Sequence, residues 1–249
     1  MIDLNKLLDL TKLVATEVGF DFLNNRDKYS GKYNFSPDNQ KEVKTKADNV
    51  LEDKIIKKIL KTELSILSEE SGYIKGKKNL DYLFIIDPLD GTFNFVKGLG
   101  PHAISIALWN NNTPIFGVIF NLTNGRLAWG GKNYGAYYDE TNISVSDICD
   151  KNKASILTGF PVRQDLNDVD YFWKIIRQFS KVRMFGSASI SLLKVAKGSA
   201  DVYFEKEIML WDVAAGLAIV QGGGGSVDFK KGKFEFSLDV YASNNNLTV

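Results

Sequence analysis

The segment YLFIIDPLDGT at residues 82–92 constrains the fold more than any other part of the chain. Five consecutive apolar residues, 82–86, are followed by Asp87 and Pro88. Pro88 disfavours a helical conformation of the residue before it and has no amide hydrogen to donate to a sheet. A short apolar run that stops at such a turn signal is typical of a buried strand. Gly91 permits a tight turn. The sequence therefore predicts Asp87 and Asp90 on one turn at the carboxyl end of a strand, where active sites of α/β sheets tend to lie.

The segments around this strand predict a mixed α/β chain. Helical spacing predicts an opening helix over residues 4–22 and a second from about Asn49 to Leu60, with Asn49 and Glu52 spaced for a capping box. The polar stretch 30–44 predicts a loop. Further strands are predicted at residues 103–109, 114–120, 125–129 and 135–140. In the second half, predicted strands at 155–159, 183–185 and 200–204 alternate with predicted helices at 172–179, 188–197 and 212–221.

Composition excludes several function classes. Among 249 residues, 31 Lys and Arg balance 30 Asp and Glu, so the chain lacks the basic field of a general nucleic-acid binder, and we expect no nucleic-acid partner. A single cysteine, Cys149, and a single histidine, His102, exclude an internal disulfide, a Cys-rich zinc site and a histidine cluster by count. We therefore expect a reducing, cytoplasmic location.

The sequence predicts neither a targeting segment nor a membrane anchor. The first residues carry no apolar signal-peptide core, and no run of about 18 apolar residues exists, so we expect neither a signal peptide nor a membrane span. The polar cluster at residues 147–153 predicts a boundary between an α+β domain at 1–145 and an α/β domain at 146–249.

Acidic residues are the candidates for catalysis or metal binding, although a turn, surface or capping role could also explain each of them. Asp87 and Asp90 fit a surface turn equally well. Neighbouring glutamates such as Glu69 and Glu70 more often lie on a solvent-exposed surface. Asp212 could serve as the N-cap of a helix, and Asp48 has the same capping alternative.

If these acids lie close together in the fold, a turn, surface or capping role no longer explains them. Two carboxylates about 4 Å apart repel by about 1 kcal/mol in water and by about 4 kcal/mol at an effective dielectric of 20. Several in one cleft must therefore be protonated or neutralised by a cation. All-oxygen ligands without histidine or cysteine indicate Mg²⁺, with Mn²⁺ and Ca²⁺ as alternatives, rather than zinc.

Five segments, Asp48, SEESG, DPLDGTFNF, RMFGSAS and WDVAAG, follow one another over about residues 45–216. Together they resemble the inositol monophosphatase family, part of the lithium-sensitive, Mg²⁺-dependent sugar phosphatases that include fructose-1,6-bisphosphatase. The resemblance implies a layered α-β-α-β-α sandwich, with an α+β N-terminal part and an α/β C-terminal part. It also implies lithium sensitivity, a homodimer and two or three Mg²⁺ ions in each site.

The resemblance implies a role for each matching residue. The metal ligands would be Glu69, Asp87, the Leu89 carbonyl, Asp90 and Asp212. Catalysis would use Glu69 and Thr92, which orient the attacking water, and Asp48, which orders a water or a third ion. The substrate would contact Asp90, Gly91, Thr92, Ser187, Ala188 and Glu205, with the Gly91 and Thr92 amides on the phosphate.

The implied activity is Mg²⁺-dependent hydrolysis of inositol 1-phosphate or a related sugar phosphate by direct attack of an activated water. A fructose-1,6-bisphosphatase or an enzyme with both activities is the alternative, followed by a nucleotide phosphatase of the 3′-phosphoadenosine or NADP type. Phe93 departs from the family, in which many members carry a second threonine there. Residues 159–165, where substrate-selective side chains would lie, match no pattern.

The sequence also leaves two other classes of protein open. A phosphatase of the haloacid dehalogenase type needs an Asp-x-Asp nucleophile pair, whereas Asp87 and Asp90 are one residue further apart. A non-catalytic metal-binding or phosphate-binding module would keep the carboxylates without turnover. Trapping of a phosphoaspartate mimic would favour the first, and metal binding without turnover would favour the second.

Overall fold

The computed structural model describes residues 2–29, 33–35, 43–78, 80–160 and 166–248. The helices in this part are α1 Leu4–Asn24, α2 Arg26–Tyr29, α3 Lys46–Ile59, α4 Thr92–Lys97, α5 Leu166–Ile176, α6 Ala188–Ala196 and α7 Leu210–Gly222. The strands before residue 100 are β1 Tyr33–Phe35, β2 Val43–Thr45, β3 Ser65–Ser68, β4 Gly72–Ile74 and β5 Tyr82–Asp90. The later strands are β6 Ala103–Asn110, β7 Thr113–Asn121, β8 Arg126–Gly131, β9 Gly135–Tyr138, β10 Thr141–Asn142, β11 Ser155–Leu157, β12 Lys181–Arg183, β13 Val202–Met209, β14 Ser226–Lys231 and β15 Ser237–Ser243.

Two large sheets carry the fold. The first has eight strands in the order β10-β9-β8-β7-β6-β5-β3-β4, antiparallel throughout except for the parallel pair β3 and β5. The second has five strands in the order β12-β11-β13-β15-β14, in which β11 runs parallel to both β12 and β13. A short β1–β2 ribbon lies apart from both sheets.

The sheets and helices stack in five layers. Helices α1 and α3 cover one face of the first sheet, and α6 and α7 lie between the two sheets. Helix α5 covers the outer face of the second sheet. The predicted α-β-α-β-α sandwich is therefore confirmed. Within the described residues, none of the helices has the length and apolar character needed to cross a membrane.

Helix α7 shows why the middle layer holds the sheets together. Its residues 213–220 are all buried, so the helix is apolar on every side, as expected for a helix packed between two sheets. Gly117 on β7 allows the close contact, since a Cβ there would lie 2.1 Å from the Ala215 carbonyl oxygen. The helix ends at Gly222, one residue beyond the predicted end at residue 221.

Several predicted elements need correction. Helix α3 begins at Lys46 rather than near Asn49, because Thr45 and Asp48 form the capping box instead of Asn49 and Glu52. The strand expected at residues 183–185 lies at Lys181–Arg183. Strands β3, β4, β14 and β15 were not predicted.

The stretch 30–44 is only partly described. Tyr33–Phe35 and Val43–Thr45 form paired antiparallel strands, so the predicted loop is wrong there. Residues 30–32 and 36–42 lie outside the described residues. The last strand of the first sheet ends at Asn142 and the first strand of the second sheet begins at Ser155, while the division into domains 1–145 and 146–249 stays a prediction.

Candidate active site

Glu69 and Asp87 follow two neighbouring parallel strands. Ser68, the last residue of β3, pairs with Ile86 of β5, so each acid comes directly after the same rung of the sheet. The Glu69 amide donates to the Ile86 carbonyl oxygen over 3.2 Å. This pairing was missed because β3 was not predicted, although the apolar residues of LSILS at 64–68 carry the signal of a buried strand.

Asp87 and Asp90 belong to a bulged strand end rather than to the predicted tight turn. Strand β5 continues to Asp90, and Asp87 pairs with Ser105 while Asp90 pairs with Ala103. Two residues between the acids thus face one residue of β6, which makes this a β-bulge. In a regular strand, residues three apart point to opposite faces. The extra residue explains how both carboxylates reach the same place.

The Asp87 carboxylate is buried without full hydrogen bonding. Its side chain is 1% exposed, and Oδ1 accepts the Leu89 amide over 2.9 Å. Oδ2 is buried and has no hydrogen-bond donor within the described part of the chain. Burial raises the pKa of Asp87 well above its usual value, and the charges of Glu69, Asp90 and Asp212 raise it further.

Asp90 is held by the start of helix α6. Its carboxylate accepts the Ser187 hydroxyl at 2.5 Å, the Ala188 amide at 3.2 Å and the Ser189 amide at 2.9 Å, together with the Ser189 hydroxyl. Burial raises the pKa of Asp90, and the hydrogen bonds from Ser187 and Ser189 oppose that rise. Ser187 and Ala188 therefore lie against a predicted metal ligand.

Asp212 lies in the first turn of α7, immediately after β13. The N-cap is Met209, which makes no side-chain capping bond, so the alternative in which Asp212 caps the helix is wrong. Carboxylate oxygens of Asp87, Asp90 and Asp212 all lie within 4.8 Å of one another. Asp212 therefore meets Asp87 and Asp90, which lie more than 120 residues earlier in the chain.

Asp48 and Thr92 form a second group beside these acids. Asp48 Oδ2 accepts the Thr45 amide and hydroxyl at 2.8 and 2.6 Å, so Asp48 does serve as a cap. Asp48 Oδ1 lies 2.8 Å from Thr92 Oγ1, which is also 2.8 Å from the Leu89 carbonyl oxygen. The single hydroxyl proton of Thr92 is donated to one of these oxygens. Burial raises the pKa of Asp48, against the hydrogen bonds from Thr45 and Thr92.

Gly91 joins the bulged strand to helix α4. Its φ is +85°, a left-handed conformation that favours glycine, and a Cβ there would lie 2.8 Å from the Pro101 carbonyl oxygen. The first amides of a helix have no partner within the helix. The predicted phosphate contacts of the Gly91 and Thr92 amides fit that position.

Glu52 organises the turn that carries Glu69, a role that sequence reasoning missed. Its Oε1 accepts the Glu70 and Ser71 amides at 3.2 and 3.0 Å, and Oε2 accepts the Ser71 hydroxyl at 2.5 Å. Glu70 forms an ion pair with Lys44 at 2.8 Å and has a side chain only 8% exposed. The solvent-exposed alternative is therefore wrong for Glu70.

A cavity of about 180 Å³ opens beside the acids. Five predicted site residues line it: Asp90, Ser187, Ala188, Glu205 and Asp212. Gly159, from the expected substrate-selective segment, also lines it, and the residues that prediction missed are Thr158, Gly186, Ser191, Tyr203 and Ile208. In the part of the chain that the structure describes, this lining contains three carboxylates and no cationic side chain. Residues 161–165 of the expected substrate-selective segment lie outside the described residues.

The donor set fits a divalent cation. It consists of carboxylate oxygens, the ligands that hard cations such as Mg²⁺ prefer. The buried Asp87 Oδ2 without a donor and the mutual repulsion of the acids are both relieved by a positive ion. Asp87, Asp90 and Asp212 together could hold such an ion.

Comparison with known proteins decides the family. The model of the inositol monophosphatase family matches residues 6–247. The chain belongs to the inositol monophosphatase family. Like this chain, the family is built on an α/β fold, and its phosphatases act on small phosphorylated substrates. Membership therefore indicates a metal-dependent phosphatase hydrolase.

Individual members of the inositol monophosphatase family show the extent of the similarity. A protein named fructose-1,6-bisphosphatase/inositol-1-monophosphatase from Aquifex aeolicus is 31% identical over 99% of this chain and 94% of its own length. A protein named Nus factor SuhB from Xylella fastidiosa is 37% identical over 74% of this chain and 68% of its own length. The solved inositol monophosphatase of Anabaena superposes with a TM-score of 0.82 at 29% identity, covering 98% and 93% of the two chains.

Proposed function

We propose that this protein is a Mg²⁺-dependent phosphomonoesterase that hydrolyses inositol 1-phosphate or a related sugar phosphate by attack of an activated water. One observation supports this most. A cavity lined by three carboxylates, and by no cationic side chain among its described residues, repels an anionic phosphate unless cations are also bound. Two of these carboxylates, Asp90 and Asp212, form with Asp87 the donor set that suits Mg²⁺.

The proposal assigns the metal to Glu69, Asp87, the Leu89 carbonyl, Asp90 and Asp212, with two or three ions in the site. When bound, Mg²⁺ would neutralise the phosphate, lower the pKa of a water and stabilise the leaving oxygen. Phosphoryl transfer depends mainly on positioning and charge neutralisation, so the chain needs no covalent nucleophile.

The remaining site residues would position the reactants. Asp48 and Thr92 already lie in one hydrogen-bonded group, which would hold the attacking water together with Glu69. The Gly91 and Thr92 amides would donate to the phosphate. Glu205 would accept substrate hydroxyl groups, beside Ser187 and Ala188 at the sugar ring.

A substrate panel tests the proposal. Phosphate release is measured from inositol 1-phosphate, fructose 1,6-bisphosphate, histidinol phosphate, NADP and adenosine 3′,5′-bisphosphate, each with Mg²⁺ and with a chelator. We expect Mg²⁺-dependent release that is fastest from inositol 1-phosphate. The name of the Aquifex relative supports fructose 1,6-bisphosphate as the alternative or additional substrate. Absence of turnover on every substrate, with Mg²⁺ bound, would leave a binding module instead.

The mechanism has its own test. Attack by water leaves no covalent phosphoenzyme, whereas the alternative with an aspartate nucleophile forms a phosphoaspartate. Acid-quenched enzyme is examined by intact mass spectrometry during turnover. We expect the unmodified mass throughout, and a phosphorylated species would replace the proposed mechanism.

A Nus factor role is a second candidate, favoured by 37% identity to the Xylella protein of that name. Substitution of Asp87 separates the two candidates, since the proposed phosphatase activity would be lost and a Nus factor role that persists would be independent of turnover. We further propose a cytoplasmic homodimer with domains 1–145 and 146–249, the first supplying Glu69, Asp87 and Asp90 and the second supplying Glu205 and Asp212. Size-exclusion chromatography with light scattering tests the dimer.

A further inference from the structure

A β-bulge interrupts β13 immediately after Glu205. Glu205 pairs with Val240 and Ile208 pairs with Leu238, so Lys206 and Glu207 together face one residue of β15. The bulge lies between two residues that line the cavity, Glu205 and Ile208. Bulges often redirect a side chain beside an active site.

Glu207 occupies the strained position of this bulge. Its φ is +57°, in the left-handed region that side-chain-bearing residues rarely adopt. A glycine would adopt this conformation without a steric penalty. The presence of a glutamate therefore requires contacts that hold the backbone in this conformation.

The Glu207 carboxylate provides those contacts through the turn at residues 232–237. It accepts the Lys233 amide on both oxygens, at 3.0 and 2.9 Å, and the Ser237 hydroxyl at 2.7 Å. The Glu207 amide donates to Asp239 Oδ1 at 3.2 Å. Gly232 makes the approach possible, because a Cβ there would lie 2.6 Å from Glu207 Oε2.

The turn itself is anchored independently of Glu207. The Gly232 amide donates to the Ser237 carbonyl oxygen at 2.8 Å, and the Leu210 amide donates to the Phe236 carbonyl oxygen at 2.9 Å. The second bond also ties the turn to the start of α7. Loss of the Glu207 carboxylate would thus release the bulge while these two bonds still hold the turn.

Tyr203 fixes Glu205 from the other side. The fully buried Tyr203 hydroxyl donates to Glu205 Oε2 at 2.6 Å. Burial and the charge of Glu205 raise the pKa of Tyr203 well above its usual value, so the hydroxyl stays a donor at neutral pH. A Cβ at Gly159 would lie 2.0 Å from Glu205 Oε1, so the carboxylate is packed against backbone as well.

We infer that Tyr203 and Glu207 are positioning residues that fix Glu205 for recognition of a hydroxyl-bearing phosphate ester. The inference rests on the proposed function and extends it to substrate selection. A rigid carboxylate at this point favours a polyol phosphate over a phosphate ester whose leaving group has no hydroxyl. Binding of the phosphate and the metal ions uses other residues.

The test compares two substrates in each variant. Myo-inositol 1-phosphate carries hydroxyl groups and p-nitrophenyl phosphate carries none on its leaving group, so the ratio of their kcat/KM values reports hydroxyl recognition. We expect Y203F and E207A each to lower this ratio about tenfold, mainly through KM for the inositol ester. E207Q keeps an acceptor oxygen and is expected to restore most of the ratio. E207G removes the strain together with the anchor, so its ratio should fall less than that of E207A.

Tyr241→Phe is the matched control, because it removes a tyrosine hydroxyl from the same sheet. This hydroxyl donates to the Leu247 carbonyl oxygen at 3.3 Å. Its ratio should equal that of the wild type. An unchanged ratio in Y203F and E207A would overturn the inference. If kcat/KM falls equally for both substrates, the two residues are merely structural, and if it falls for neither, they do not act on Glu205. If E207A fails to fold, Y203F alone decides, and if the wild type hydrolyses neither ester, the proposed function fails first.

Discussion

Two buried carboxylates in this protein, those of Glu207 and Asp87, differ in how completely hydrogen-bond donors satisfy them. Glu207, 6% exposed, receives the Lys233 amide and the Ser237 hydroxyl within 3.0 Å. Asp87, 1% exposed, has one oxygen bonded to the Leu89 amide and one oxygen without a donor among the described residues. Both carboxylates are nearly removed from water, but only Glu207 receives full compensation from the protein.

The difference separates acids whose charge the protein itself satisfies from acids that need a ligand. A buried charge is tolerated when donors satisfy it, and otherwise it is protonated or paired with a cation. Glu207 and Glu52 belong to the first kind, because backbone amides bind them. Asp87 belongs to the second kind, since three more carboxylates surround it. The oxygen without a donor, rather than burial alone, therefore marks Asp87 as an acid that requires a cation.

Replacing Asp87 by asparagine should produce the largest effect. The asparagine side chain could still accept the Leu89 amide, and its NH₂ group would donate towards the neighbouring carboxylates, so we expect a folded protein. Loss of a metal ligand should lower kcat/KM by at least about a thousandfold, or about 4 kcal/mol. Phosphate release at saturating Mg²⁺ measures it.

The control for this substitution is D9N, which removes a charge of the same kind from the exposed face of α1. D9N should keep full activity. Substantial turnover by D87N would show that the unsatisfied carboxylate is not part of the catalytic centre, and the comparison with Glu207 would lose its functional meaning.

Metal binding and pH should act on the same two buried acids, Asp87 and Asp90. Because the pKa values of Asp87 and Asp90 are raised in the fold, the native state binds more protons than the unfolded state. Stability without metal should therefore fall as pH rises above the unfolded value of 3.8 towards the folded pKa. Mg²⁺ competes with these protons, so its stabilising effect should grow with pH. At a hundredfold excess over Kd it should reach about 2.7 kcal/mol.

Thermal unfolding between about pH 5 and pH 8, with EDTA and with Mg²⁺, measures this effect. The increase in Tm on adding Mg²⁺ should be larger at the higher pH and much smaller in D87N. An increase of the same size at every pH, shared by D87N, would place the stabilising metal elsewhere in the molecule.

Removing a satisfied carboxylate should destabilise the fold regardless of metal. Glu52→Ala leaves the Glu70 and Ser71 amides without their acceptor, which should cost about 2 kcal/mol of unfolding free energy. Urea unfolding should show this loss equally with Mg²⁺ and with EDTA. Glu52→Gln keeps one acceptor oxygen and should lose less. If E52A were destabilised only in the absence of Mg²⁺, Glu52 would belong with Asp87.

The smallest expected effect concerns substrate recognition. Glu205→Ala should raise KM for inositol 1-phosphate about tenfold, or about 1.4 kcal/mol, with a smaller change in kcat. Steady-state kinetics at saturating Mg²⁺ measures both constants. An unchanged KM would remove Glu205 from substrate binding and leave only the Asp87 cluster as the proposed functional centre.

The sequence was sufficient for the local features of this protein. The apolar run before Asp87 and the helical periodicity of α1 each depend on neighbouring residues, and both predictions were confirmed. The motifs from Asp48 to the WDVAAG segment were also sufficient to predict the family. Local propensity and short motifs act over a few residues, so they can be recognised without a structure.

Only the tertiary structure decided how the acids are used. The parallel pairing of β3 with β5 brings Glu69 to Asp87, and a bulge turns Asp90 to the same side. Asp212 does not cap α7, because the N-cap is Met209 and the helix begins at Leu210. Glu52 has a role that the sequence did not predict, because it accepts hydrogen bonds from the turn after β3. Strand register and long-range hydrogen bonds join residues that are distant in the chain, and no local pattern records which acid will find a donor and which will require a cation.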